Sequence, residues 1–241
     1  MAYLKWIADE DLKNAVLRVL ATIHKSEQNA NADISRNGID PFSVLFNLSC
    51  LSHDVETWRR NEIIRQAEKG LTNAIGTFHQ EIIAHVNGWR DPHNNQTFDL
   101  INESKMIIVE MKNKHNTLNA EGKKGCWKKL YDAVASKTSS FHGYTAYCVN
   151  IVPKEVEDIV WQVPDNATTG GTLSYEKVRL IDGKTFYSIA TGDKNALRNL
   201  LAALPKVLQD LAGKEISKES IQFAEHLYKG MYEGAFKQML K

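Results

Sequence analysis

Residues 97–116 read TFDLINESKMIIVEMKNKHN and join the residue types of phosphate chemistry to an apolar strand. The run Met106 to Val109 ends in Glu110 and Lys112, and Asp99 stands on the segment before it. Side chains two apart on a strand share a face, so Ile108, Glu110 and Lys112 point one way while Ile107, Val109 and Met111 point the other. One side packs and the other is left for chemistry. A turn centred on Glu103 and Ser104 would place Asp99 opposite Ile108 and diagonal to Glu110, within cross-strand reach. Two carboxylates and an ammonium then converge. The acids supply the hard oxygen donors that Mg²⁺ prefers, with room left for water and a substrate phosphate, and Lys112 faces the attacking water. Such a set suits phosphodiester hydrolysis. An ordinary edge salt bridge between Glu110 and Lys112 fits the same spacing equally well.

The chain repeats these letters elsewhere. Glu103-Ser104-Lys105 and Glu121-Gly122-Lys123 also read Glu-x-Lys, and Pro164-Asp165 is followed after sixteen residues by Asp182-Gly183-Lys184. Glu103 and Lys105 fall in a turn, and Glu121 sits at a glycine-flanked helix start. Asp182-Gly183, between KVRLI and KTFYSIA, has the composition of a tight hairpin turn, where side chains two apart do not share a strand face. Only Glu110 and Lys112 close an apolar strand.

The elements that must position this hairpin are mostly helical. Leu12, Val16, Val19, Leu20 and Ile23 recur at the spacing of one helix face behind the acidic start Asp9, Glu10 and Asp11. The stretch NANADISRNGIDP breaks that pattern. Asp40 before Pro41 is an N-cap with proline in the first turn, which predicts a short buried helix over PFSVLFNLSCL. A long helical region from Val55 follows, interrupted or closely packed near Gly70 and Gly76 and ended by Asn87-Gly88. Beyond RDPHNNQ the period becomes that of strands, with TFDLI, a turn at NESK, and MIIVEMK. A basic helix over 122–136 and a strand GYTAYCVNIV complete a helix, hairpin, helix, strand order. Residues 160–190 carry weaker strand signals. Helices return with Asp193 as N-cap, are kinked or broken at Pro205, and end with a helix from Ser217 whose face is Ile221, Ala224, Leu227, Tyr228 and Met231. No repeat or polar linker divides the chain. The expectation is a single catalytic domain over 1–241, made of a helical part (1–76), a core (77–152) and a hairpin with C-terminal helices (153–241).

Bulk properties narrow the class. The 241 residues are 43% hydrophobic and carry a net charge of +1, so a sizeable core is available and bulk charge does not bind nucleic acid. Local charge does differ. Between Lys112 and Lys129 stand six lysines and one acid, a balance of +5 that is either a solvated helix face or a nucleic-acid contact. The sequence contains no membrane span or signal peptide, which predicts a soluble, cytoplasmic protein. Cys50, Cys126 and Cys148 are far apart in sequence and read as reduced structural thiols.

The order of helix, strand with Asp99, strand with Glu110-x-Lys112, helix and strand resembles the PD-(D/E)xK nuclease superfamily. The wordings GTFHQEIIAHVNGW, VEMKNKHNT, LIDGKTFYSIATG and ALPKVLQDL, between about Pro41 and Leu211, are similar to type II restriction endonucleases of the group that recognises GGNCC. The resemblance implies a central mixed β-sheet flanked by helices, with extra N- and C-terminal helices. It places the metal-binding acids on Asp99 and Glu110, the lysine on Lys112, and a further acid on Glu81 of the preceding helix. Phe98 stands where the motif has proline. The implied activity is Mg²⁺-dependent double-strand cleavage of DNA by a two-fold homodimer, whose surface is expected from the helical parts, in a host holding a cognate DNA methyltransferase. A repair or branched-DNA nuclease of the same fold, or a non-catalytic DNA-binding module, would share many of these letters.

Several flanking residues suit DNA. Asn113, Lys114 and Asn116 follow the catalytic strand and could touch phosphates or bases, or only solvate a loop. Asn94 and Asn95, with Arg90 and Gln96, have the chemistry of base-edge readers, though loops are polar in any case. Lys123, Lys124, Lys128 and Lys129 would position phosphates without reading sequence. His115 with His142 fails as a His-Asn-His site, because His142 precedes a strand rather than lying on the required helix. Trp58, Trp127 and Trp161 read as core or interface anchors, since duplex DNA offers no free base faces.

Overall fold

The computed structural model describes residues 2–51, 54–92, 98–165, 170–213 and 215–233; Asn94, Asn95 and Gln96 lie outside them. Contacts divide the chain into two compact units, residues 14–78 and residues 1–13 with 79–241.

The first unit is helical. It holds most of α1 (Asp9–Ala32), a 3₁₀ turn (Ile34–Asn37), α2 (Pro41–Cys50) and most of α3 (Val55–Ala84). Asp40 caps α2 as expected, its side chain accepting from the Phe42 N–H. The helix is not buried: Phe42, Leu45 and Phe46 are each more than 60% exposed. Apolar content made α2 look like core, but burial needs a facing surface, and among the described residues none covers this one. Neither Gly70 nor Gly76 interrupts α3. A Cβ on Gly70 would fall 2.1 Å from Ser26 Oγ, so the glycine serves the close approach of α1 and α3. The helix stops at Ala84, and Gly88, with φ +84°, lies in the turn beyond it.

The second unit is built on a mixed sheet. Its strands are β1 (Leu100–Asn102), β2 (Ile107–Lys114), β3 (Thr145–Val152), β4 (Asp158–Val160) and β7 (Val178–Asp182), in the order β1-β2-β3-β7-β4. β2, β3 and β7 run parallel, and β1 and β4 close the edges antiparallel. β5 (Val163–Asp165) and β6 (Gly171–Leu173) form a separate two-stranded ribbon. Helices cover both faces. α4 (Ala120–Ala135) lays Trp127, Leu130 and Val134 on Ile101, Ile108, Ala146, Cys148 and Val178. On the other face α5 (Gly183–Thr191) brings Phe186 to Tyr147, and Gly183 seats so closely on β3 that a Cβ would lie 2.8 Å from the Ile151 backbone. Two C-terminal helices follow, α6 (Ala196–Ala212) and α7 (Lys218–Glu233). Pro205 lies inside a continuous α6, and the cap is Asn195, whose N–H bonds Asp193 rather than Asp193 capping directly.

The expected hairpin at Asp182-Gly183 is not formed. Asp182 ends β7 and caps α5, its Oδ1 accepting from the Thr185 N–H at 2.9 Å and its Oδ2 from both the Thr185 hydroxyl at 2.6 Å and the Glu157 N–H at 3.1 Å. KTFYSIA is therefore helix. Its buried residues Phe186, Tyr187 and Ala190 follow the helical spacing that the Asp-Gly pair obscured, and Gly192 at φ +77° ends it.

His79 of α3 is buried against Tyr187, Nδ1 standing 2.8 Å from the phenol oxygen. Burial drives its pKa down to about 4. An unfolded histidine titrates near ~6.5, so the folded state binds fewer protons between these values. The neutral imidazole's contribution is complete above ~6.5 and is lost as pH falls toward 4. Chemical denaturation at stepped pH should show wild type losing on the order of 3 kcal/mol more over that window than His79→Gln. Equal slopes for the two proteins would rule this out.

Candidate active site

The hairpin that sequence spacing singled out is formed, with its register moved by two residues. Leu100 pairs with Val109 and Asn102 with Ile107, so the loop is Glu103–Met106, with Met106 at φ +52°. The ladder ends at Leu100, and Asp99 lies in the bend just before it, close enough to Glu110 for the two carboxylates to repel and no longer opposite Ile108, which pairs with Ile101. A two-residue shift keeps every side chain on its face, which is why the convergence survives. Asp99 also replaces a backbone acceptor, because its Oδ2 takes the Met111 N–H at 2.7 Å while its own N–H bonds Val109.

Both faces of β2 are buried over most of its length. The side bearing Glu110 and Lys112 is not an open surface but lies under α4. Glu110 is 9% exposed and each of its oxygens holds a lysine: Oε1 accepts from Lys112 Nζ at 2.6 Å, and Oε2 from Lys129 Nζ at 2.5 Å. Lys112 comes from the same strand and Lys129 from α4. Lys129 also stands 5.5 Å above the Phe98 ring, so two contacts fix its head group. Sequence reading placed Lys129 on a phosphate-facing helix and missed its tie to Glu110. The available signal was the stripe Cys126, Lys129 and Ala133, which runs beside the buried Trp127, Leu130 and Val134.

Electrostatics set the two acids apart. Burial, and then the neighbouring Glu110 charge, hold the Asp99 carboxyl above the usual aspartate range, against the Met111 N–H and the two lysines. Burial opposes the charge on Lys112, yet its hydrogen bond to Glu110 and the charges of Glu110 and Asp99 win, and its pKa is raised. Behind them Cys126 of α4 and Cys148 of β3, distant in sequence, are hydrogen-bonded as free thiols. The bond to Cys148 lowers Cys126, and its counterpart, with burial, raises Cys148 well above the thiol range.

The remaining sequence candidates divide. Glu81 sits half-buried on α3, and its carbonyl receives His85 Nδ1. Among the described residues no group of three or more acids, histidines or cysteines is arranged to hold a metal, so Glu81 does not complete a three-ligand set with Asp99 and Glu110. Lys124 is tied to Asp165 at 3.1 Å. Lys114, Asn116, Lys123 and Lys128 are exposed, and Asn113 is half-buried. Asp182, the rival aspartate, is fully buried and occupied by capping. Trp127 and Trp161 are core, joined by the Trp127 indole N–H to the Trp161 carbonyl.

Because folding raises the Asp99 pKa, its charged form is the unfavourable one in the folded state. The sign follows directly: this group's stabilising contribution is greatest below the unfolded aspartate pKa and is lost as pH rises through the folded value. Asp99→Asn keeps an acceptor for Met111 and removes the repulsion with Glu110. At neutral pH it should unfold at higher denaturant, by ~1 kcal/mol, while being inactive in DNA cleavage. A variant less stable than wild type would refute the assignment of strain to this carboxylate.

Comparison with known proteins identifies the family. Residues 4–213 match the family model of the Eco47II restriction endonuclease, a longer span than the motifs alone suggested. The chain is 36% identical over 227 residues to the type II restriction enzyme Eco47II of Escherichia coli, covering 93% of this chain and 95% of that protein. It is 27% identical over 214 residues to the type II restriction enzyme Sau96I of Staphylococcus aureus, covering 86% of this chain and 80% of that protein. The chain belongs to the Eco47II restriction endonuclease family and is a type II restriction enzyme, a site-specific deoxyribonuclease.

Proposed function

We propose that this endonuclease cuts both strands of DNA at a GGNCC-like site in a PD-(D/E)xK centre formed by Asp99, Glu110 and Lys112. The observation that carries the reading is the buried Glu110 carboxylate, lysine-bound on each oxygen, with the Asp99 carboxylate beside it. Structural pairs seldom bury two acids together, and enzymes commonly do.

The donor set suits a hard divalent cation such as Mg²⁺. Asp99 and Glu110 offer only oxygens, and each Glu110 oxygen keeps a second lone pair beyond the one its lysine uses. Asp99 and Glu110 would hold the ion. Bound there, such an ion supplies positive charge at the phosphate and acidifies water. The protein's own side chains do the rest. Lys112, held charged, donates toward the attacking water and the phosphate oxygens, so that charge developing on phosphorus meets an ammonium already in place. Lys129 holds the Glu110 carboxylate in place from α4.

DNA is held by groups around this centre. Lys114, Lys123 and Lys128 are exposed on the α4 side, and Asn113 and Asn116 extend from the catalytic strand. These would position phosphates, while Asn94 and Asn95 would read base edges. The chain works as one catalytic domain, and cutting both strands of a palindromic site calls for a homodimer with one centre per strand. Protection of the host's own DNA calls for a cognate methyltransferase, with both enzymes in the cytoplasm. Among the described residues no helix is long and apolar enough to cross a membrane.

Digestion of a sequenced plasmid with Mg²⁺ tests the reading. Wild type should give discrete fragments whose ends define the site. Lys112→Ala should fold and bind DNA but cut roughly 10²- to 10⁴-fold more slowly, the range for loss of one charge-stabilising or proton-handling group. Near-normal cutting by a folded Lys112→Ala protein would move the active site elsewhere.

A further inference from the structure

α2 carries an apolar stripe that its own chain does not cover. Phe42, Leu45, Phe46 and Ser49 recur at the spacing of one helix face and are all exposed. No residue of α2 is buried. On the other side of the helix an open groove of about 540 Å³, lined by Val44, Asn47, Trp58 and Arg65 among others, runs between α2 and α3. Leu51, which caps α2, and Val55, which starts α3, add to the exposed apolar surface.

Stability, charge and area each bear on what covers this surface. Isolated helices shorter than roughly 12–15 residues are marginal in water and take their stability from packing. α2 has 10 residues and buries none of them. It also contains no Asp, Glu, Lys or Arg. A two-fold contact sets a patch against itself, so charge in the patch meets its like, and an uncharged stripe escapes that repulsion. The same lack of cations makes it a poor surface for DNA phosphates. Phe42, Leu45, Phe46, Leu51 and Val55 are each between 59% and 73% exposed. Together they offer on the order of 300–600 Å² of apolar surface per copy. Interfaces are about 56–65% apolar, so this corresponds to roughly 500–1,000 Å² in all, against about 800 Å² per partner in a stable complex. α7 exposes an aromatic too, Phe223, but that helix is already packed through Tyr228 and Tyr232.

We infer that α2 is the contact between two copies of this chain, each laying its stripe on the other's across a two-fold axis with Leu45 and Phe46 nearest the axis. The need for a second copy rests on the reading of double-strand cleavage, whereas the choice of surface rests on α2 itself. Near the axis each side chain faces its own equivalent, so the contact is sensitive to charge of one sign and tolerant of opposite signs.

Sedimentation equilibrium of the full-length protein without DNA tests this. Wild type should be a dimer. Phe46→Glu and Phe46→Lys should each keep the wild-type helix content by circular dichroism and weaken dimerisation by roughly 10²- to 10³-fold, the loss of a central aromatic in both copies. An equimolar mixture of the two should recover the dimer. Phe223→Glu should leave it unchanged. Amide hydrogen exchange in α2 of wild type, a readout that needs no variant, should slow as protein concentration rises through the dimer transition. A monomeric wild type, α2 exchange indifferent to concentration, or a folded Phe46→Glu dimer as tight as wild type overturns the inference, and dissociation by Phe223→Glu alone overturns it in favour of α7. Contact and centre can fail separately. Lys112→Ala should lose cutting and stay dimeric; an active Lys112→Ala dimer sinks the centre alone, and a tight Phe46→Glu dimer beside an inactive Lys112→Ala sinks the contact alone.

Discussion

Taking a carboxylate out of water costs about several kcal/mol unless its charge is matched. Glu110 is matched twice, by Lys112 two residues along its own strand and by Lys129 from the helix laid over it. The first partner is guaranteed by local geometry, because strand side chains two apart share a face. The second is tertiary and depends on α4 lying at one height and rotation over β2 and β3. Trp127, Leu130 and Val134 supply that placement by burying themselves on the sheet. Packing of the apolar core and compensation of the central charge are therefore one constraint, and α4 cannot shift without exposing the first and breaking the second.

How much of this could be read from sequence follows the same division between local and tertiary. The faces of β2 were legible because they depend only on a period of two. The register was not, because the loop Glu103–Met106 is a four-residue turn whose positive-φ position is Met106, with no glycine or asparagine to mark it. The error was harmless since a shift of two preserves the faces. Lys129 was visible as one of six lysines, but its phase relative to Glu110 exists only once helix and sheet are docked. Cys126 and Cys148 illustrate the same point: twenty-two residues apart in sequence, they meet because α4 crosses β3. Conversely, the local charge excess overstated the free charge. Of its six lysines, Lys112, Lys124 and Lys129 turn inward to carboxylates, leaving Lys114, Lys123 and Lys128 outward.

Asp182 shows how a correct choice can rest on the wrong reason. Asp-Gly is a strong hairpin signal, yet aspartate is an equally strong N-cap, and Thr185 three residues on offers both a backbone and a hydroxyl donor. The apolar spacing after Gly183 decides between them, and it is helical. As the cap of α5, Asp182 has its oxygens engaged by the chain itself, which disqualifies it as an open ligand more firmly than a turn would. Asp99 is the contrast. It accepts one backbone N–H and is otherwise held against another carboxylate, an arrangement that folding alone does not favour.

The resting charges of the centre sum to zero, two carboxylates against two ammoniums. That balance couples the events of the proposed reaction. A divalent cation arriving alone would face Lys112 and Lys129 across the same carboxylates, and a phosphodiester arriving alone would face Asp99 and Glu110. Together they bring opposite charges into a half-buried space where each offsets the repulsion met by the other, which is positive coupling between two ligands. A centre built this way resists filling by either partner singly. On this proposal it would be complete with DNA and ion both present, when Lys112 and Lys129 would be beside the phosphate.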